Sequence, residues 1–211
     1  ETLNVALSMA GVPLSIANSI KPDLGLGGTL DGSATVGGTR AAPQIGFNVR
    51  GSDIRAAALA NAGVSSLGVR AEGTTDGTLL NVNTEVSSPD GLRANVNGNV
   101  PLNGSELGLD VNLQSFPLAL LNRQVPNQNL GGTLTGTAKV AGRLEDPNVQ
   151  FNIQGSGLTA LQLNEFGASP LSLDVAGSFA KNTVHLSFLT ANGPSGLTLT
   201  ANGSIPIEGA G

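Results

Sequence analysis

Residues 13–59 of this chain are written a second time as residues 117–163. The offset is a constant 104 without a gap, so that Pro117 stands for Pro13, Phe151 for Phe47 and Leu163 for Leu59. Roughly 20 of the 47 paired positions are identical, far above chance. A repeat this long constrains the fold more than any other feature of the chain. It implies a modular object in which each unit buries its apolar face against its neighbours. It also moves the functional question from a single active site to a surface that both copies share.

The register runs beyond the first match. Leu107, Leu109 and Val111 fall on Leu3, Val5 and Leu7, and Leu171 and Gly177 fall on Leu67 and Gly73. Near residue 87 the second copy gains one residue. Pro89, Gly91, Leu92, Gly98 and Pro101 then match Pro194, Gly196, Leu197, Gly203 and Pro206. Two units are therefore expected, 1–104 and 105–211. No Pro/Ser-rich linker separates them, so the second is expected to continue the first.

Within each unit the apolar period is two. Leu30, Ala34, Val36; Ile45, Phe47, Val49; Leu80, Val82; Leu92, Val96, Val100; and Leu107, Leu109, Val111, Leu113 alternate with Thr, Ser, Asn, Asp, Arg and Gln. The second unit repeats the pattern with Leu134, Ala138, Val140; Val149, Phe151, Ile153; Leu171, Leu173, Val175; Leu186, Phe188; and Leu197, Leu199, Ile205. Such alternation predicts strands with one apolar and one wet face, and hence an all-β fold in which these side chains share a face. Asp31-Gly32, Asp76-Gly77, Asp90-Gly91, Asn103-Gly104 and Asn192-Gly193 read as turn signals. Those inside alternating runs, together with Gly98 and Gly203, read as bulges that bend the sheet.

One segment breaks the period. Pro13–Ile20 and Pro117–Val125 open with proline, favoured at a helix's first position, and predict short helical caps that end before Pro22 and Pro126. A further short helical turn is expected at 56–63.

Composition narrows the function. Charged residues make up 12% of the chain, about half the usual share. The only aromatics are six Phe, and Cys, Trp and Tyr are absent. Net charge is −5 with the ten basic residues scattered, which argues against the basic face that nucleic acid requires. No run approaches the length of a membrane-spanning helix. The chain starts at Glu1 and is expected to be an excerpt of a longer protein, with any targeting segment outside it.

Motifs present in one copy only carry little weight. His185 is the sole histidine; alternation turns it outward, and its counterpart near Leu80 cannot titrate. With no Cys and a single His, a His/Cys metal site lacks the ligands it needs, and neither metal nor cofactor is expected. Gly155-Ser156-Gly157 loosely mimics a dinucleotide-binding turn, but Asp53 replaces the second glycine in the first copy, where close backbone approach is needed. Glu145 and Asp146 are adjacent and so face opposite sides of a strand; Asp110, Asp174, Glu165 and Glu72 are dispersed. No catalytic residue is assigned, and an enzyme is not expected.

What remains is the apolar face. Period-two apolar residues are ordinarily the core of a closed sandwich. Two features point instead to an open trough: the lining is aliphatic, rich in Ala and Gly, and the repeat is expected to continue past both ends.

The residues that recur, Pro13-Leu14, Pro22, Gly27-Gly28-Thr29-Leu30, Gly32, Ala34, Val36, Gly38, Pro43 and Phe47, with their counterparts from Pro117 to Phe151, resemble the C-terminal region of TamB-type translocation and assembly module proteins, within the AsmA-like group of bridge-forming lipid-transfer proteins. That resemblance implies a periplasmic β-structure in a protein anchored to the inner membrane of a Gram-negative bacterium. The implied fold is a β-taco, a long sheet curled into a U around an aliphatic groove that conducts phospholipid between inner and outer membranes and supports outer-membrane protein assembly with an Omp85-type barrel partner. Its ligands would be phospholipid acyl chains, or detergent, on the apolar set named above; no nucleic acid is implied. The rival expectation is a surface β-solenoid or autotransporter-passenger adhesin with a closed core, which would show a repeat of about 20–25 residues; that shorter period is not found.

Overall fold

Alternating β-branched and short polar residues form twelve strands in a computed structural model, which describes residues 2–40, 42–104, 106–143 and 145–207. They are β1 (Val5–Pro13), β2 (Gly27–Thr39), β3 (Ala42–Arg55), β4 (Leu67–Thr75), β5 (Leu79–Ser87), β6 (Arg93–Pro101), β7 (Leu107–Pro117), β8 (Gly131–Arg143), β9 (Asp146–Thr159), β10 (Leu171–Ala180), β11 (Thr183–Asn192) and β12 (Thr198–Pro206). Two five-residue helices, α1 (Ala57–Asn61) and α2 (Leu161–Glu165), follow β3 and β9. The chain divides into two units, Glu1–Ser105 and Glu106–Gly211.

Each unit is an antiparallel meander. In the first, β1 to β6 pair strictly with their sequence neighbours; in the second, β7 to β12 do the same. The strands, the 3-10 helix after the first strand and the short helix after the third follow the same order in the two; the first unit adds a 3-10 turn at Pro22–Leu24 and the second one at Pro194–Gly196. Among the described residues no helix is long and apolar enough to cross a membrane.

The period-breaking segments are 3-10 helices, Leu14–Ser19 and Leu118–Arg123. Pro13 and Pro117 stand just before them as extended residues (φ −68° and −65°), where the expectation had them inside the first turn. Each helix is tied to the next strand by an asparagine amide. Asn18 Nδ2 donates to the Leu26 carbonyl (2.8 Å) and Asn18 Oδ1 accepts from the Leu26 N–H (2.9 Å). Asn122 repeats both bonds with Leu130 (3.0 and 2.7 Å). A primary amide is the side chain that can satisfy a backbone donor and acceptor at once.

The invariant Gly-Gly pair has a local cause. Gly28 and Gly132 have φ of +97° and +95°, and a β-carbon on either would stand about 2.6 Å from the carbonyl oxygens of Ser52 or Gly157. Both sit where β2 and β8 step past a shift in register against β3 and β9. Only glycine fits such a backbone approach.

Two expectations about glycine are corrected. Asp31-Gly32 lies inside β2, paired without interruption to β3; the irregularity is in β1 between Met9 and Val12, where the Gly11 N–H donates to Asp31 Oδ1 at 2.8 Å. Gly98 does not mark a bulge against β5, because Val82 pairs with Gly98 in unbroken register.

The residue gained by the second unit is Ser187. In the first unit Gly73, Glu72 and Ala71 pair with Val82, Asn83 and Thr84. In the second, Gly177, Ala176 and Val175 pair with Leu186, Phe188 and Leu189. Ser187 is left out of the ladder as a bulge, and alternation resumes in phase beyond it.

Candidate apolar binding face

Directly opposed residues of paired strands share a face, so the registers define which side chains stand together. In the first unit four rows cross the sheet: Val5–Val36–Ile45–Thr75–Leu80–Val100; Leu7–Ala34–Phe47–Gly73–Val82–Gly98; Met9–Gly32–Val49–Ala71–Thr84–Val96; and Val12–Leu30–Gly51–Val69–Val86–Ala94. Two threonines are the only polar side chains among them. In the second unit the rows are Leu109–Val140–Val149–Phe179–Val184–Ile205; Val111–Ala138–Phe151–Gly177–Leu186–Gly203; Leu113–Gly136–Ile153–Val175–Leu189–Ala201; and Phe116–Leu134–Gly155–Leu173–Ala191–Leu199. These contain no polar side chain.

The rows hold most of the residues expected from periodicity. Leu107 and Leu171 extend them, opposite Gly142 and Leu158. Leu92 and Leu197 precede β6 and β12 in the connecting turns. Phe188 does not belong to this face: it opposes Ala176, between the rows, because the Ser187 bulge resets the phase of β11. The rows also include residues that the expected set lacks, above all Met9 and Val12 of β1 and Phe179 and Leu189 of the second unit, and they take in Val5 and Leu7, which the repeat had matched to Leu109 and Val111.

Few side chains of either unit are buried among the described residues. Among the described residues only Val64, Leu107, Leu120, Val175 and Ala191 are buried apolar side chains, and no large side chain is fully buried. Leu7 stays 60% exposed and Leu199 59%. Each row is half-covered by its own neighbours, leaving part of its transfer free energy unrealised until something apolar covers it. Between β1 and β3 the first unit's face dips into a depression of about 240 Å³ lined by Leu7, Met9, Gly32, Ala34, Phe47 and Val49.

The opposite face is polar. It carries Asn48, Asn81, Asn83, Asn95, Asn97 and Asn99 in the first unit and Asn152, Gln150, Gln154 and Ser178 in the second. His185 lies there, with Nδ1 2.7 Å from Ser204 Oγ. Asp110 pairs with Lys139 at 2.8 Å across β7 and β8. Asp53, at the αL turn where Gly157 stands in the second unit, is held below the usual carboxylate range by a hydrogen bond from Arg55 and another from Ser66. Asp76 is lowered to about 2 by bonds from the Leu79 N–H, the Thr78 hydroxyl and the Thr78 N–H in the β4–β5 turn. No group of three potential metal ligands occurs among the described residues.

Set against known proteins, the chain matches no family model, no curated protein and no solved structure.

Proposed function

We propose that the apolar face of each unit shelters lipid acyl chains, and that this chain is a periplasmic segment of a TamB-like bridge carrying phospholipid between the inner and outer membranes, without enzymatic chemistry. The observation that carries this reading is the apolar face left uncovered in both units, free of charge and nearly free of polar groups. A diacyl lipid drawn through water exposes roughly 30 methylenes at ~0.8 kcal/mol each, a barrier of order 25 kcal/mol. A run of Leu, Val, Ala and Gly lowers that barrier with non-directional contacts, so the chains can slide. Curling of the sheet into a U around the chains belongs to the same proposal, as does pairing with an Omp85-type barrel at the outer membrane. A closed-core adhesin finds less support, since no large side chain is fully buried among the described residues.

Photocrosslinking residues placed at Phe47 and Leu109, with His185 as the polar-face control, test it in cells. Labelled phospholipid attaching at Phe47 and Leu109 and not at His185 is expected. Equal labelling of the two faces overturns the proposal. Val111→Arg puts a cation in the second row of the second unit; it is expected to stop lipid passage while the far-UV circular dichroism stays unchanged. Full outer-membrane integrity with that variant excludes conduction past Val111.

A further inference from the structure

The polar faces of the two units differ where their apolar faces agree. In the first, Arg50 and Arg70 are direct cross-strand partners, flanked by Asp31 and Glu85. The equivalent positions in the second are Gln154 and Asp174, flanked by Thr135 and Thr190. Both sites edge a depression, about 370 Å³ in the first unit and 430 Å³ in the second.

The depression in the second unit is lined by Thr135, Gln154, Ser156, Ser172, Asp174 and Asn192: hydroxyls, amides and a single carboxylate, with no cation among them. Asp174 Oδ1 is buried and has no hydrogen-bond partner within the protein. A buried acceptor without a donor is uncommon and calls for an explanation. A turn about the Asp Cβ–Cγ bond, a broad torsion, would offer that oxygen to a donor in the depression.

The aromatic ring on this face belongs to Phe188, one step along the ladder from the residues that line the depression. Phe188 opposes Ala176, two residues along β10 from Asp174, and is 40% exposed. Diagonal neighbours on a sheet lie about 7–8 Å apart, within reach of an aromatic side chain. Ala176 in turn opposes Asn152, so the ring is bordered by amide and carboxylate. The first unit has Asn83 at the position of Phe188.

We propose that this patch is a binding site for a neutral β-linked glycan. An exposed ring diagonal to a depression of hydroxyls, amides and a carboxylate matches a pyranose, which presents a C–H face for the ring and hydroxyl donors and acceptors around its rim. The lack of cations disfavours anionic polymers. The site lies on the face opposite the acyl-binding rows and stands independently of them.

Calorimetric titration of the whole chain with cellohexaose and with chitohexaose tests the site. Saturable binding of at least one is expected, with shifts of the Phe188 ring resonances and none of Phe47. Phe188→Ala and Asp174→Asn should each weaken it about tenfold, and Phe188→Tyr should retain it, which separates loss of the ring from loss of the fold. Val111→Arg should leave it unchanged. Absence of binding by both hexaoses in the millimolar range, equal binding by Phe188→Ala, or shifts centred on Asn83 overturns the proposal.

Discussion

The ring of Phe47 lies across Gly73, its cross-strand partner, and Phe151 lies across Gly177 in the same way. A β-carbon on Gly73 would stand 2.7 Å from Phe47 Cζ and one on Gly177 2.9 Å from Phe151 Cζ, with a backbone carbonyl (Asn81 or His185) closer still. A glycine in a strand contributes no packing of its own; here the neighbouring ring occupies its place on the apolar face. The pairing recurs at the same register in both units, so it is part of the repeated design.

Gly73→Ala and Gly177→Ala should therefore each destabilise their unit by about 1–3 kcal/mol, as overpacking does. Gly108, with nothing within 4 Å of a built β-carbon and an ordinary strand φ, should accept alanine within about 0.5 kcal/mol. Urea unfolding followed by circular dichroism separates the cases; equal effects at Gly73 and Gly108 would count against the ring-over-glycine contact.

The amide clamps predict a second effect. Asn18→Ala strips both bonds from the backbone of Leu26 and should cost about 1–2 kcal/mol, with Asn122→Ala acting alike on Leu130. Asn18→Asp keeps the acceptor but turns a carboxylate oxygen toward the Leu26 carbonyl. It should cost at least as much as alanine at neutral pH. Hydrogen exchange at the Leu26 amide reads the clamp directly.

Those asparagines were legible in the sequence without being read. Asn18 and Asn122 are identical across the repeat, but an isolated amide in a short helical segment has no periodic signature. Alternation placed Phe47 on the apolar face of the first unit, and Val111 and Phe151 on that of the second, because a strand has a period of two and the ladder from Val111 through Ala138 to Phe151 is unbroken. The same rule failed at Phe188, since counting by twos assumes no bulge, and the gained residue could be placed only near, not at, Ser187. Val5 and Leu7 matched the repeat at Leu109 and Val111, and with Leu3 and Met9 they alternate as cleanly as Leu107 to Leu113; the irregularity at Gly11 lies beyond them. Gly98 has φ +145° inside regular pairing, and sequence cannot tell that from a bulge.

Asp76 carries the acid response of the β4–β5 turn. Its carboxylate is lowered from 3.8 to about 2, chiefly by the Leu79 N–H, then by Thr78. A folded-state value below the ordinary one means the charged form supports the turn. That support is complete above the ordinary value and is lost as pH falls from there to about 2. Amide shifts of Thr78 and Leu79 should titrate with a midpoint near 2 and lose that step in Asp76→Asn. A midpoint at the ordinary carboxylate value would show that the bonds do not hold in solution.

Deleting Ser187 is the sharpest test of how the repeat tolerates change. A one-residue slip in a strand would send every later side chain to the other face. Were β11 an uninterrupted strand, deletion would carry Leu189 and Ala191 out of the apolar rows and expose Thr190 there. Because Ser187 is already outside the ladder, its removal should leave Val175 opposite Leu189 and Ala176 opposite Phe188, the pairing that Ala71–Thr84 and Glu72–Asn83 show in the first unit. Nuclear Overhauser contacts between Val175 and Leu189 should therefore survive the deletion, and stability should be equal or higher, since a regular ladder replaces the bulge. Loss of that contact would mean that Ser187 belongs to the strand and that Phe188 shares the face of Leu186.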